Sequence, residues 1–381
     1  MSKINKKVVW LGIASFFSDV ASEMIFPILP LFFANVLNLN KSVIGLIEGT
    51  AESFSSLLKV FAGWLSDKLK KRRIFLLFGY GVPVLTKPIL ALSTIWQYVF
   101  LFRFFDRTGK GLRTSPRDAL ISELSDVKIR GEYFGFHRTM DTLGAVLGVL
   151  VTVFLIYFVG NQYRFIFWLT LIPAFISFLI ILLFVKESKN KFVSNFKFSF
   201  SNLDGKFKKF IFVSFLFSLA NFSYAFFILR VNELGIALFL IPLLYLVYNI
   251  FYASASLPFG KLSDKIGRLP TLFLGYVLFA LLCLGFVFVK NSLFLWLLFA
   301  IYGIVVAIVQ TVPSAYIGDL IEQDKRGTAY GIYFAVVGFT ILLSNIIAGI
   351  LWDKFTFAGA FYFGAVVSFL SAIILVLLFR K

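Results

Sequence analysis

Eleven acidic and basic side chains fall strictly within the membrane-embedded part of stretches that are otherwise apolar, and all of them precede residue 142. Six are acids, Asp19, Glu23, Glu48, Glu52, Asp106 and Asp141, and five are bases, Lys59, Lys87, Arg103, Arg107 and Arg138. A charge at the centre of a bilayer costs several kcal/mol, from about 3 to above 10, so each needs a partner or a task. Arg103 with Asp106 and Arg138 with Asp141 are spaced i,i+3, which lets each pair neutralise itself on its own helix. Asp19, Glu23 and Glu52 have no local base. They must find Lys87, Arg103 or Arg138 on another helix, or carry a proton. Desolvation and a neighbouring cation act on a carboxyl in opposite senses, so such a group can alternate between paired and protonated forms. That is the chemistry of proton coupling, and it falls to Asp19, Glu23, Glu52 and Asp141.

The elements that hold these charges follow from composition. The chain has 381 residues, 60% hydrophobic, 19% aromatic and only 15% charged. A soluble domain averages about 45–50% apolar and about 25% charged residues. The surplus must face something other than water, so this is an all-α polytopic membrane protein. Disorder, collagen-like structure and a secreted disulfide scaffold are excluded. Apolar runs of the roughly 20 residues that cross a bilayer predict twelve transmembrane helices. They fall at 8–34, 42–65, 74–95, 97–115, 131–158, 165–185, 209–230, 234–257, 271–289, 292–313, 327–351 and 357–379. A β-barrel would show alternating segments of about 10 residues, and none are present. Pro27, Pro30, Pro83 and Pro88 predict kinks in spans one and three. Gly144 and Gly148 predict close helix packing in span five.

Orientation follows from Lys and Arg. Of 37 such residues, 27 fall on one side, 5 on the other and 5 within spans. Both termini are therefore expected in the cytoplasm, which requires an even number of spans. The net charge of +18 is explained by this bias and by the lipid bilayer as partner, without nucleic acid. No cleavable signal peptide is expected, because the first apolar stretch is too long and lacks a cleavage site. The basic, polar segment near 186–209 divides the chain into an N-terminal six-helix bundle (1–187), a cytoplasmic linker (188–208) and a C-terminal six-helix bundle (209–381). One cysteine, Cys283, and one histidine, His137, make a disulfide or a Cys/His metal site unexpected. No cofactor is expected, and a monomer is.

The second half carries almost no intramembrane charge. Its polar groups are amides and phenols, among them Asn221, Tyr245, Tyr248 and Tyr252, which join Lys87, Arg103, Asp106 and Arg138 as candidates for a substrate cavity. The halves also repeat. Gly63-Trp-Leu-Ser-Asp67-Lys-Leu recurs as Gly260-Lys-Leu-Ser-Asp264-Lys-Ile, and Arg130-Gly131-Glu-Tyr-Phe-Gly135 as Arg326-Gly327-Thr-Ala-Tyr-Gly331. The two pairs share nearly one offset, so the halves read as pseudo-symmetric parallel repeats.

The pattern G-x-L-S-D-K-x-x-x-R after spans two and eight resembles the signature loop of the major facilitator superfamily. Arg103-Phe-Phe-Asp106-Arg107-Thr-Gly109 resembles that family's span-four motif, with Asp106 and Arg107 in place of the usual Gln-Gly. Lys70 stands where Gly is usual, whereas Gly267 is present in the second copy. The stretch from Asp106 to Asp118, with Gly135-Phe-His-Arg-Thr-Met-Asp141, looks like a prokaryotic subgroup of unassigned substrate. The resemblance implies the family's two-bundle fold and alternating access. It also implies gating by Gly63, Asp67, Arg107, Arg113, Gly260, Asp264 and Arg268. Asp67 would pair with Arg107, Lys110 or Arg113 and approach the start of span eleven.

No nucleotide-binding Gly-rich loop occurs, which excludes direct drive by ATP. An enzyme is disfavoured by the lack of a nucleophile motif or metal set, and a non-transporting receptor or scaffold by the polar interior. The leading expectation is a secondary transporter of a small organic solute in the cytoplasmic membrane, working by proton-coupled efflux. The rival is proton-coupled import of an organic anion held by Lys87, Arg103 and Arg138.

Overall fold

The computed structural model describes residues 5–125, 130–187, 205–321 and 326–379. The expected linker lies outside the described residues as far as residue 204. The described residues form helices and no strand. In chain order these are α1 (Lys6–Glu23), α2 (Leu29–Asn35), α3 (Lys41–Leu69), α4 (Arg72–Ala91), α5 (Trp96–Glu123), α6 (Arg130–Val159) and α7 (Tyr163–Leu169). There follow α8 (Leu171–Phe184), α9 (Gly205–Ala220), α10 (Tyr224–Glu233), α11 (Leu240–Ile266), α12 (Arg268–Phe288), α13 (Ser292–Leu320) and α14 (Arg326–Phe379).

Fourteen segments serve the twelve expected spans, and the differences have local causes. Span one breaks between α1 and α2, where Pro27 and Pro30 remove N–H donors and crowd the preceding turn. Span six divides at Thr170. Span seven divides at Asn221–Ser223, and the Ser223 hydroxyl caps α10 by accepting the Ala225 N–H at 3.3 Å. Spans eleven and twelve merge into α14, interrupted only by non-helical backbone at Phe355 and Thr356, the latter with φ 69°. Pro83 and Pro88 sit inside a continuous α4. Among the described residues, eight stretches are long and apolar enough to cross a membrane, and the charge-bearing α3 and α5 are not among them.

The chain divides into two compact units, Met1–Leu37 with Thr50–Asn195, and Asn38–Gly49 with Phe196–Lys381. In the first, small residues allow helix backbones to approach, the usual device where lipid removes the hydrophobic drive between helices. A Cβ on Gly144 would strike the Phe16 carbonyl, and one on Gly148 would lie 2.6 Å from the Val20 oxygen. This is the close packing of α6 on α1 that the Gly pair predicts. Gly79 makes room for Arg113, and Gly109 for Pro83, where α4 meets α5. Val8, Leu11, Leu76, Tyr80, Leu120 and Ile181 form a core beneath.

The second unit is packed through aromatics. Phe222, Phe227, Phe279, Phe286 and Phe361 meet ring to ring at centroid separations of 5.0–6.4 Å. This unit also takes the first turns of α3, which the expected division had assigned to the N-terminal bundle. Gly45 and Gly49 have no side chain to separate them from Asn345 of α14. Asp353 caps α3, its carboxylate accepting the Lys41 and Ser42 N–H groups at 2.9 Å each and the Ser42 hydroxyl.

Candidate functional site

Helix α5 is the organising element of the first unit. The residues Arg103, Arg107, Lys110, Thr114 and Arg117 recur every three or four positions and so share one face. Glu52 on α3 meets this face, with its carboxylate 3.0 Å from Arg107 Nε and 3.7 Å from Arg103 Nη2. Both guanidiniums also lie over the Phe26 ring, at 4.9 and 4.6 Å. Further along, Arg117 meets Asp118 at 3.1 Å, Asp141 of α6 at 3.9 Å and the Ser15 hydroxyl of α1 at 3.2 Å. His137 Nδ1 lies 3.5 Å from the same Asp141 oxygen. Asp19 on α1 feels Asp141, Lys110, Arg113 and Arg117. Glu52 of α3 and Asp141 of α6 thus meet the cationic face of α5, with Asp19 of α1 within its electrostatic reach. Glu23 ends α1 beside Gly148 of α6, and Arg138 is exposed on α6.

Lys87 and Asp106 form a separate unit. Their side chains are 1% and 5% exposed and meet at 3.0 Å between α4 and α5, with the ammonium 5.2 Å from the Phe102 ring. Asp106 is therefore held across helices by Lys87. Asp141, likewise expected to pair locally with Arg138, faces His137 and Arg117. Arg113 is also committed: it donates to the Gly79 carbonyl at 3.1 Å and lies over the Tyr80 ring.

The two signature loops repeat one arrangement. In the first, Ser66 Oγ donates to the Gly63 carbonyl at 2.9 Å and accepts from Arg72 Nη1 at 2.6 Å. Arg72 also pairs with Asp67 and with Glu123 at the end of α5. In the second, Ser263 Oγ donates to the Gly260 carbonyl at 2.6 Å and accepts from Arg268 Nη1 at 2.6 Å. Arg268 pairs with Asp264 at 2.6 Å and with Asp319 at the end of α13 at 2.8 Å. Hydrogen bonding to Asp319, and less to Asp264, raises the pKa of the Arg268 guanidinium. Asp67 therefore meets an arginine of its own loop, and the expected pairing with Arg107, Lys110 or Arg113 is replaced. The turns reach the left-handed region through Gly267 (φ 100°) in one copy and Lys70 (φ 55°) in the other.

In the second unit, Tyr245, Tyr248 and Tyr252 form a ladder along α11. Tyr248 stacks on Tyr252 at 6.3 Å and on Tyr302 of α13 at 4.8 Å, and Tyr245 meets Tyr224 at 5.4 Å. Gly303 lets α13 approach the backbone of Tyr248 and Tyr252. Asn221 sits in the break between α9 and α10.

Arg117 lies beyond the end of the expected span four, and Lys110 is expected only as a partner of Asp67. The signal is present, because the three- and four-residue spacing of polar groups on α5 continues past residue 109. Among the described residues, no group of three or more His, Cys, Asp or Glu could hold a metal ion.

A helical membrane fold, a loop architecture repeated in both halves and a charged face built into one unit are the features of a transporter family. The Major Facilitator Superfamily matches residues 11–228 and 210–381, and the chain belongs to it: this is a multi-pass membrane transporter. It is 41% identical to an uncharacterized MFS-type transporter of Methanocaldococcus jannaschii, over 98% of this chain and 95% of that one. It is 28% identical to a multidrug resistance protein of Proteus mirabilis, over 49% of this chain and 46% of that one. Its fold is similar to that of a variant of the nucleoside transporter NupG, with a TM-score of 0.83 at 15% identity, covering 98% and 100% of the two chains.

Proposed function

We propose that this chain is a secondary active transporter that moves a small organic solute across the cytoplasmic membrane by alternating access, driven by protons. The observation that carries the reading is Arg117, a single guanidinium shared by Asp141 and Asp118 with Asp19 close by. Two carboxylates of different helices compete for one cation, so Arg117 neutralises them unequally. A change in helix position that moves Arg117 then changes which carboxylate holds it. Glu52, held between Arg103 and Arg107, is kept as the carboxylate and becomes available to a proton only when a helix movement withdraws the guanidiniums.

Proton-coupled efflux and import of an organic anion share this machinery. The cationic face of α5 favours the second, because a proton on Asp19 removes a negative charge from that face and improves it for an anion. The test uses proteoliposomes that enclose a pH-sensitive dye, exposed to a panel of organic anions and cations without an imposed gradient. Symport of an anion acidifies the lumen and antiport makes it alkaline. The expected result is acidification by one or more anions, lost in Asp19→Asn. A lumen whose pH no solute changes would contradict proton coupling.

A further inference from the structure

The cations of the first unit are not evenly matched by its carboxylates. Arg103 and Arg107 share Glu52, Arg117 takes Asp118 and Asp141, and Lys87 takes Asp106. Two lysines remain. Lys59 on α3 and Lys110 on α5 are described residues for which no ion pair or hydrogen bond holds the ammonium group, although Asp19 and Glu52 lie within electrostatic reach of Lys110, and Glu52 and Asp118 of Lys59.

Their placement follows from how α3 and α5 cross. A Cβ on Gly111 would lie 2.8 Å from both the Leu58 Cβ and the Ser55 carbonyl oxygen, so the helices are in contact at this point. Lys59 follows Leu58 and Lys110 precedes Gly111, so the two flank the crossing and feel one another. Both lie within the first 20 or so residues of their helices, the length that crosses a bilayer. Lys110 is exposed and Lys59 half-buried, so both ammonium groups are open to an incoming anion. Glu52 is already shared by two guanidiniums, and Asp19 stops contributing whenever it is protonated.

We propose that Lys59 and Lys110 form the anion-binding element of this transporter, and that its cargo is a small organic dianion, a dicarboxylate or phosphomonoester. The proposal rests on the transporter reading above and adds the substrate class. Arg107, held by Glu52 beside the two lysines, contributes a donor geometry suited to a planar or tetrahedral oxyanion.

The test is equilibrium binding, which requires no proton gradient and so is independent of coupling. The purified full-length protein in detergent is titrated with succinate and glycerol 3-phosphate while thermal unfolding is recorded. Succinamide and glycerol serve as neutral counterparts at matched ionic strength. Dihexanoyl phosphatidylglycerol tests whether a lipid headgroup is the anion instead. A ligand that binds only the folded state raises apparent stability by mass action. The expected result is a concentration-dependent rise in melting temperature with at least one dianion and none with the neutral counterparts. Lys110→Gln, a change at an exposed position that folding tolerates, weakens that dianion by about tenfold or more, and Lys110→Arg retains it. Stabilisation by the phospholipid alone, by neither dianion, or equally in Lys110→Gln overturns the proposal.

Discussion

The ammonium of Lys87 on α4 lies 3.0 Å from the carboxylate of Asp106 on α5, and both side chains are buried. Removing one partner of such a pair strands the other charge, which costs about 3–5 kcal/mol, whereas replacing both by apolar groups is often neutral. Lys87→Met is therefore expected to lower the melting temperature strongly, and Lys87→Met with Asp106→Leu to restore most of it. Thermal unfolding of the two variants checks this. A single variant as stable as the parent would show that the pair contributes nothing.

Asp353 caps α3 by accepting two backbone N–H groups and the Ser42 hydroxyl. Loss of an N-terminal cap costs about 1 kcal/mol. Asp353→Ala is expected to lower the melting temperature by more than Ser42→Ala, which removes only the hydroxyl partner. Equal effects of the two would locate the stabilisation in the hydroxyl contact alone.

The repeated arginine clamps differ in burial, and so in their dependence on salt. The Arg72 side chain is 9% exposed, and its partner Glu123 is 8% exposed. Arg268 is 20% exposed and its partners 61% and 55%. Exposed ion pairs contribute about 0–1 kcal/mol and are screened by salt. Arg72→Ala should therefore be the more destabilising change at every ionic strength. The effect of Arg268→Ala should shrink between low and high salt, as followed by thermal unfolding at the two concentrations.

Much of this was legible in the sequence because a membrane imposes long apolar runs on it. The spans, the repeated Gly-x-x-Ser-Asp loops and the packing role of Gly144 and Gly148 can all be read from residue types and spacing. The pairing of charges cannot. Asp106 has Arg103 three positions away, which supplies a complete local answer, and nothing in the spacing reveals that Lys87 approaches from α4. The end of α5 was obscured for a related reason. Its last turns are polar and contain Pro116, both of which read as a loop, so the expected span ends at residue 115 and Arg117 falls outside it. A polar helix that turns its cations to a charged neighbour has no apolar periodicity to announce it. The Asp67 partner was missed because the family resemblance directs attention to span four, while Arg72 lies one turn further along its own loop.

Asp19 and Glu52 are the proposed link between solute movement and protons. It is tested most directly in proteoliposomes, by comparing uphill accumulation with downhill exchange of the cargo found in the screen. With one proton per solute, a gradient of one pH unit supplies about 1.4 kcal/mol and drives about tenfold accumulation. Asp19→Asn and Glu52→Gln are expected to exchange cargo across the membrane but no longer to concentrate it when the outside is made acidic. Accumulation by both variants to the level of the parent protein would contradict that link, and would leave these carboxylates with a structural role alone.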